Sequence, residues 1–121
     1  MIVIRTFTFD AAHYVPCYHG KCENLHGHTY KLVVKVDGKC DTEGMVIDFA
    51  DLKKIVKDNV VDKFDHHCLN DIISVPTAEN IAVYVWQKLQ PLLQNERYHL
   101  AEVQIWETAN NGCVYRGEEI A

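Results

Sequence analysis

Between residues 28 and 64 the hydrophobic repeat of this chain changes from two to about 3.6. Tyr30, Leu32, Val34 and Val36 alternate with Lys31, Lys35 and Asp37, the pattern of a strand with one apolar face over 28–37. After Asp48, a residue suited to an N-cap, the apolar positions Phe49, Leu52, Ile55, Val56, Val60 and Phe64 recur at helical spacing. A sheet with one apolar face needs a cover, and an amphipathic helix is the nearest one.

The flanking segments extend the same logic. Residues 2–12 are rich in β-branched and aromatic types (Val3, Ile4, Thr6, Phe7, Thr8, Phe9) and read as a strand. Residues 16–24, with Pro16 and Gly20, read as a loop. Thr77, after Pro76, can cap a second helix whose stripe is Ile81, Tyr84, Val85, Leu89 and Leu92. Residues 100–107 and 114–117 return to strand character, separated by a turn with Asn110-Asn111-Gly112. The expected class is α+β in the order ββααββ: a four-stranded antiparallel sheet with two helices on one face. The 121 residues fit a single domain, 1–121, and no repeat, low-complexity tract or linker divides them.

Charge and cysteine usage narrow the function classes. A formal net charge of −5 disfavours electrostatic binding to nucleic acid or to an anionic membrane surface. The apolar runs fall well short of the ~20 residues of a spanning helix, and residues 1–5 do not open a signal peptide. Five cysteines (Cys17, Cys22, Cys40, Cys68, Cys113), odd in number and scattered, argue for reduced thiols and a cytoplasmic location.

The histidines carry the chemistry. His26 and His28 flank Gly27 at the start of a strand, so alternation puts both rings on one face, roughly 6.6 Å apart along the chain. His13 ends the first strand and supplies a third nitrogen if the two strands pair as a hairpin. Three neutral imidazoles with a fourth position open is a catalytic rather than a structural zinc arrangement. A His-x-His pair alone is equally compatible with hydrogen bonds at a strand end. Cys22, beside Lys21, is suited to a thiolate base or nucleophile, to a fourth zinc ligand, or to an inert loop thiol. Asp65-His66-His67 places a carboxylate beside an imidazole, the arrangement that tunes acid–base histidines; a histidine at a helix end is the alternative. Glu107 ends the apolar face of Ala101, Val103 and Ile105. If buried it needs a partner, such as a ligand with two adjacent N–H donors; otherwise it reaches solvent.

Taken together, Cys22-Glu23-Asn24-Leu25-His26-Gly27-His28 resembles the C-x-x-x-H-G-H pattern of the 6-carboxy-5,6,7,8-tetrahydropterin synthases, relatives of 6-pyruvoyl-tetrahydropterin synthase. The resemblance continues in order through Phe9-Asp10-Ala11-Ala12-His13, Ile47-Asp48-Phe49, Leu52-Lys53, Asp65-His66-His67 and Leu69-Asn70-Asp71. Pro76-Thr77-Ala78-Glu79-Asn80, Glu107-Thr108 and Tyr115-Arg116-Gly117-Glu118 complete it across nearly the whole chain. It implies a tunnelling fold assembled as a homohexamer, a dimer of trimers, with active sites between subunits. It implies one zinc ion per subunit on His13, His26 and His28, with Cys22 as base and His66, with Asp65, as relay partner or general acid. Glu107 would grip the pterin ring, with Thr77 and Glu79 of a neighbouring subunit as further substrate contacts.

The implied reaction converts 7,8-dihydroneopterin triphosphate to 6-carboxytetrahydropterin, acetaldehyde and triphosphate, a carbon–carbon lyase step toward queuosine-type 7-deazaguanines. Two alternatives stand beside it: 6-pyruvoyl-tetrahydropterin synthase chemistry, and a non-catalytic zinc-stabilised binding module. The short Cys22-to-His26 spacing, set against that of the animal enzymes, favours the carboxy product. Lys21, Lys31 and Arg116 are candidate triphosphate contacts.

Overall fold

The computed structural model describes residues 1–16 and 24–120. Strand β1 (Ile2–His13) pairs antiparallel with β2 (His26–Gly38) over their full length, from Ile2 opposite Asp37 to His13 opposite His26. Helix α1 (Phe49–Val56) runs on through a π-helical turn (Lys57–Val61) into a last turn at Asp62–Phe64. Then come a two-residue strand β3 (His67–Cys68), helix α2 (Ala78–Leu89), β4 (Tyr98–Trp106) and β5 (Gly112–Tyr115). The sheet order is β3-β1-β2-β4-β5.

The α+β class holds, and the sheet gains a strand between the two helices, so the order is ββαβαββ rather than ββααββ. β3 pairs with β1 in parallel at Ala11 and Ala12, so the sheet has five strands and is mixed. Two residues are too few for a periodic signal, so tertiary pairing alone creates β3. Both expected caps form: the Asp48 carboxylate accepts from the Ala50 N–H, and the Thr77 hydroxyl from that of Asn80.

Alternation decides what is buried. Tyr30, Leu32, Val34 and Val36 are fully buried on one face of β2, against Leu52, Val56, Val60 and Phe64 from the first helix and Ile81, Val85 and Leu89 from the second. Phe49 and Leu92, expected on the apolar stripes, are exposed, and Leu93 is buried in place of Leu92 because α2 has ended by then. Phe9 stacks on Tyr30 with ring centroids 5.1 Å apart, and Phe64 and Tyr84 continue this aromatic column toward the helices.

A bulge in β4 removes Ala101 from the face that Glu107 was expected to share with it. Lys35 pairs with Glu102 but Val36 with Leu100, leaving Ala101 as the extra residue. The core face of β4 is therefore Leu100, Val103 and Ile105, and Ala101 does not belong to it.

Alternation with the buried Val103 puts Glu102 on the helix-free face, where it is 5% exposed. Its carboxylate accepts from Lys35 Nζ at 2.7 Å, Gln104 Nε2 at 2.8 Å and the Arg116 guanidinium at 2.9 and 3.0 Å. Burial pushes the Glu102 carboxyl up, but these three partners outweigh burial and hold it below the usual carboxylate range. A folded value below the unfolded one of about 4.3 means the contribution is complete above that pH and is lost as pH falls through the folded value. Glu102→Gln is expected to flatten the acid limb of stability, read as urea midpoints between about pH 3 and 6. An acid limb identical to that of the unsubstituted protein would remove Glu102 from this account.

Candidate metal centre

The register of β1 and β2 brings three histidines to the end of the core face. His13 opposes His26 directly, and His28 opposes Ala11, two residues back on the same side. The ring centroids are 4.7 Å apart for His13–His26, 5.0 Å for His13–His28 and 4.8 Å for His26–His28, nearly an equilateral triangle. Tyr30 lies beneath, edge-on to His13 and His28, so the site is the outward continuation of the aromatic core. The potential ligand atoms of the three lie within 4.8 Å of one another.

Hydrogen bonds orient two of these rings. His13 Nδ1 is 2.8 Å from the Pro76 carbonyl oxygen, and His26 Nδ1 is 2.7 Å from that of Asn24. A carbonyl only accepts, so both Nδ1 atoms donate and both Nε2 atoms present lone pairs. Those two Nε2 atoms face each other at 3.1 Å. Two nitrogens on one tetrahedral zinc would be about 3.4 Å apart, so the donor set fits that ion after a shift of a few tenths of an ångström. His13 is 2% exposed while His26 is open to solvent, which places the centre at the surface end of a buried wall.

Glu107 turns toward this centre: its Oε1 lies 4.0 Å from His13 Nε2, and its side chain is one-quarter exposed. Its backbone N–H donates to the Asn111 carbonyl, so the turn after β4 fixes its position. Thr77 spends its hydroxyl on the α2 cap, and Glu79 is exposed in the first turn of that helix. Cys113 stands near both acids. Burial pushes its thiol up, and the charges of Glu79 and Glu107 add to that. Arg116 is committed to Glu102, and Lys31 is exposed on the helix-free face. Cys22, Lys21 and Cys17 lie outside the described residues.

Asp65 and His66 form a second, separate group. His66 Nδ1 donates to Asp65 Oδ2 at 2.9 Å, which leaves Nε2 on a side chain that is 79% exposed. Strand β1 clamps the pair from its edge: Asp10 N–H donates to Asp65 Oδ1 at 2.9 Å, and His66 N–H to the Asp10 carbonyl at 2.7 Å. That clamp holds His66 at φ 60°, the left-handed region where histidine is found more often than most residues. The Asp10 N–H bond, followed by the His66 ring, holds the Asp65 carboxyl below the usual range. Asp10 also gathers its own carboxylate, which accepts from Thr29 Oγ1 at 2.5 Å, close to the dyad. Asp10 and Thr29 alternate onto the face opposite Phe9, Tyr30 and the three histidines. Within one chain the dyad and the histidine triangle are therefore not brought together. Pro76 and Asn24, which orient the rings, are contributions that local sequence did not signal.

The sequence profile of the family described as 6-pyruvoyl tetrahydropterin synthase matches residues 2–118. The 6-carboxy-5,6,7,8-tetrahydropterin synthase of Haemophilus influenzae is 35% identical over 94% of this chain and 97% of its own length. The dihydroneopterin monophosphate aldolase of Pyrococcus furiosus is 41% identical over 87% of this chain and 88% of its own. Among solved structures, the 6-pyruvoyl tetrahydropterin synthase of Caenorhabditis elegans superposes with a TM-score of 0.84 at 34% identity, over 98% of this chain and 96% of that one. The tunnelling fold is thus the observed fold, with β3 as an addition to the expected strand count.

Proposed function

The chain belongs to the 6-pyruvoyl tetrahydropterin synthase family, and on that premise we propose that it is a zinc-dependent carbon–carbon lyase. Its substrates in this reading are 7,8-dihydroneopterin triphosphate and one water, and its products are 6-carboxytetrahydropterin, acetaldehyde and triphosphate, a step toward queuosine-type nucleosides. The observation that carries the reading is the convergence of His13 and His26 Nε2, with His28 as third corner, each of the first two rings tied back through Nδ1 to a carbonyl.

In this reading His13, His26 and His28 hold one zinc per chain. Bound there, zinc supplies a Lewis acid for the substrate's side-chain hydroxyls. The Cys22 thiolate removes a carbon-bound proton, a role that rests on the resemblance alone. His66 passes a proton through its exposed Nε2, while Asp65 fixes Nδ1 and stabilises the ring when it is charged. Glu107 accepts two adjacent N–H donors of the pterin, and Thr77 and Glu79 of a neighbouring copy contact the same ligand.

Two open sheet margins support an assembly of copies. β1 is paired by β3 only at Ala11 and Ala12, so the edge from Ile2 onward carries exposed Ile2 and Ile4 and can take a strand from another copy. β5 is the opposite margin. Head-to-tail joining of such edges forms a ring when the rotation between copies closes, and a homohexamer of two trimers is the proposed form. It would also bring one chain's dyad to another chain's metal. The proposed unit is one domain, 1–121, in the cytoplasm; no described helix is long and apolar enough to cross a membrane.

The test is incubation of zinc-loaded protein with 7,8-dihydroneopterin triphosphate and mass identification of the products. The expected result is 6-carboxytetrahydropterin with acetaldehyde and triphosphate. A pyruvoyl pterin would instead assign the elimination activity, and release of neither triphosphate nor acetaldehyde would sink the reading. Cys22→Ala is expected to keep one zinc per chain while kcat falls by about 10²–10⁴-fold. Loss of the metal in that variant would make Cys22 a ligand.

A further inference from the structure

His13 is fixed by a group 63 residues away in sequence, the Pro76 carbonyl, through a buried hydrogen bond. Proline has no N–H, so this carbonyl is the only backbone polar group Pro76 can offer. Nothing in β1 sets where that carbonyl points; the loop before α2 does. In that loop the Val75 carbonyl accepts from two donors, Thr77 N–H at 2.9 Å and Asn80 Nδ2 at 2.8 Å. Asn80 N–H in turn caps on Thr77 Oγ1 at 3.1 Å, and Ile81 N–H bonds the Thr77 carbonyl at 2.9 Å. Asn80 therefore ties the first turn of α2 to the residue on the near side of Pro76, and the backbone N–H and carbonyl of Thr77 hold the far side.

We propose that Asn80 is a positioning residue for the metal centre: by closing the loop at 75–80 it aims the Pro76 carbonyl at His13 and so fixes the ring that presents Nε2. The proposal rests on the reading of His13, His26 and His28 as zinc ligands. Groups that orient a ligating imidazole through its other nitrogen set metal affinity by about 10–100-fold. Asn80 acts one link further out, through the carbonyl, so about tenfold is the effect expected of it. The geometry gives Asn80 this part rather than Thr77, whose hydroxyl serves the helix cap and does not touch the Val75 or Pro76 carbonyls. It also gives the segment Pro76-Thr77-Ala78-Glu79-Asn80 a function at the metal.

The experiment is chelator-competition titration of zinc into the full-length protein and into Asn80→Ala, Asn80→Asp and Thr77→Ala. Asn80→Asp keeps size and backbone N–H but cannot donate to the Val75 carbonyl. Thr77→Ala loses the cap, at about 1 kcal/mol of helix stability, and keeps the Asn80 side-chain bond. Both Asn80 variants are expected to bind zinc about tenfold more weakly, with Thr77→Ala unchanged in affinity though lower in thermal midpoint. Imidazole ¹⁵N spectra of the metal-free proteins supply a second readout. His13 should be a single Nδ1–H tautomer in the unsubstituted protein and a mixture in both Asn80 variants. Equal affinity and an unchanged tautomer in the Asn80 variants would overturn the proposal alone. An affinity loss in Thr77→Ala as large as in Asn80→Ala would assign the effect to helix stability and overturn it too. Failure of the unsubstituted protein to bind zinc would overturn the metal reading and this inference with it.

Discussion

Replacing His28 by alanine is expected to weaken zinc binding by more than about 100-fold, beyond the range for groups that only orient a ligand, and to abolish product formation. His28 is the cleanest of the three to remove. His13 is 2% exposed and bonded to the Pro76 carbonyl, so its loss would also leave a cavity and an unpaired buried acceptor. His26 is more exposed but carries the Asn24 carbonyl with it. His28 is only partly buried and sits on the continuous pairing of β1 and β2, whose backbone bonds survive the change. The measurement is metal content after dialysis against a weak chelator, with circular dichroism to establish that the fold remains. One zinc per chain at unchanged affinity would exclude His28 as a ligand and reopen the donor set.

The site depends on sheet register more than on any single residue. Because the side-chain period is two, slipping β2 by one residue against β1 would carry His26 and His28 to the helix-free face and leave His13 alone. The buried run Tyr30, Leu32, Val34 and Val36 resists that slip, since it would drag four core residues into solvent. Core packing and the histidine triangle are thus held by one alternation. That is why His-x-His was legible as a site from sequence: the apolar pattern that marks the strand also states which way its histidines face.

What was not legible has a common cause. The β4 bulge at Ala101 reverses the face of the residues before it, and a periodic pattern cannot reveal one extra residue. β3 exists because Ala11 and Ala12 offer it an edge, and His66 takes φ 60° because Asp10 bonds both it and Asp65. The His13–Pro76 bond joins residues 63 apart in sequence. Each is set by a partner distant along the chain. The caps at Asp48 and Thr77 depend on residues two and three positions away, and these were read correctly.

The placement of the dyad leads to the second large effect. His66→Ala is expected to lower kcat by about 10²–10⁴-fold while zinc stays at one per chain, since His66 belongs to a group separate from the histidine triangle. The more discriminating result comes from mixing inactive chains. Asp65 and His66 gather with Asp10 and Thr29 on the sheet face opposite His13, His26 and His28, so a chain does not present its own dyad to its own metal centre. If the site forms between copies, His66→Ala supplies intact metal centres and His28→Ala supplies intact dyads. Refolded together in equal amounts, random assembly pairs the two competent halves at about one site in four, so about a quarter of full activity should return. Either variant alone should remain near background. Mass spectrometry of differently labelled chains establishes that mixed oligomers have formed. Mixed oligomers that stay inactive would show that dyad and metal act within one chain, and would require His66 to cross the edge of β1 during turnover.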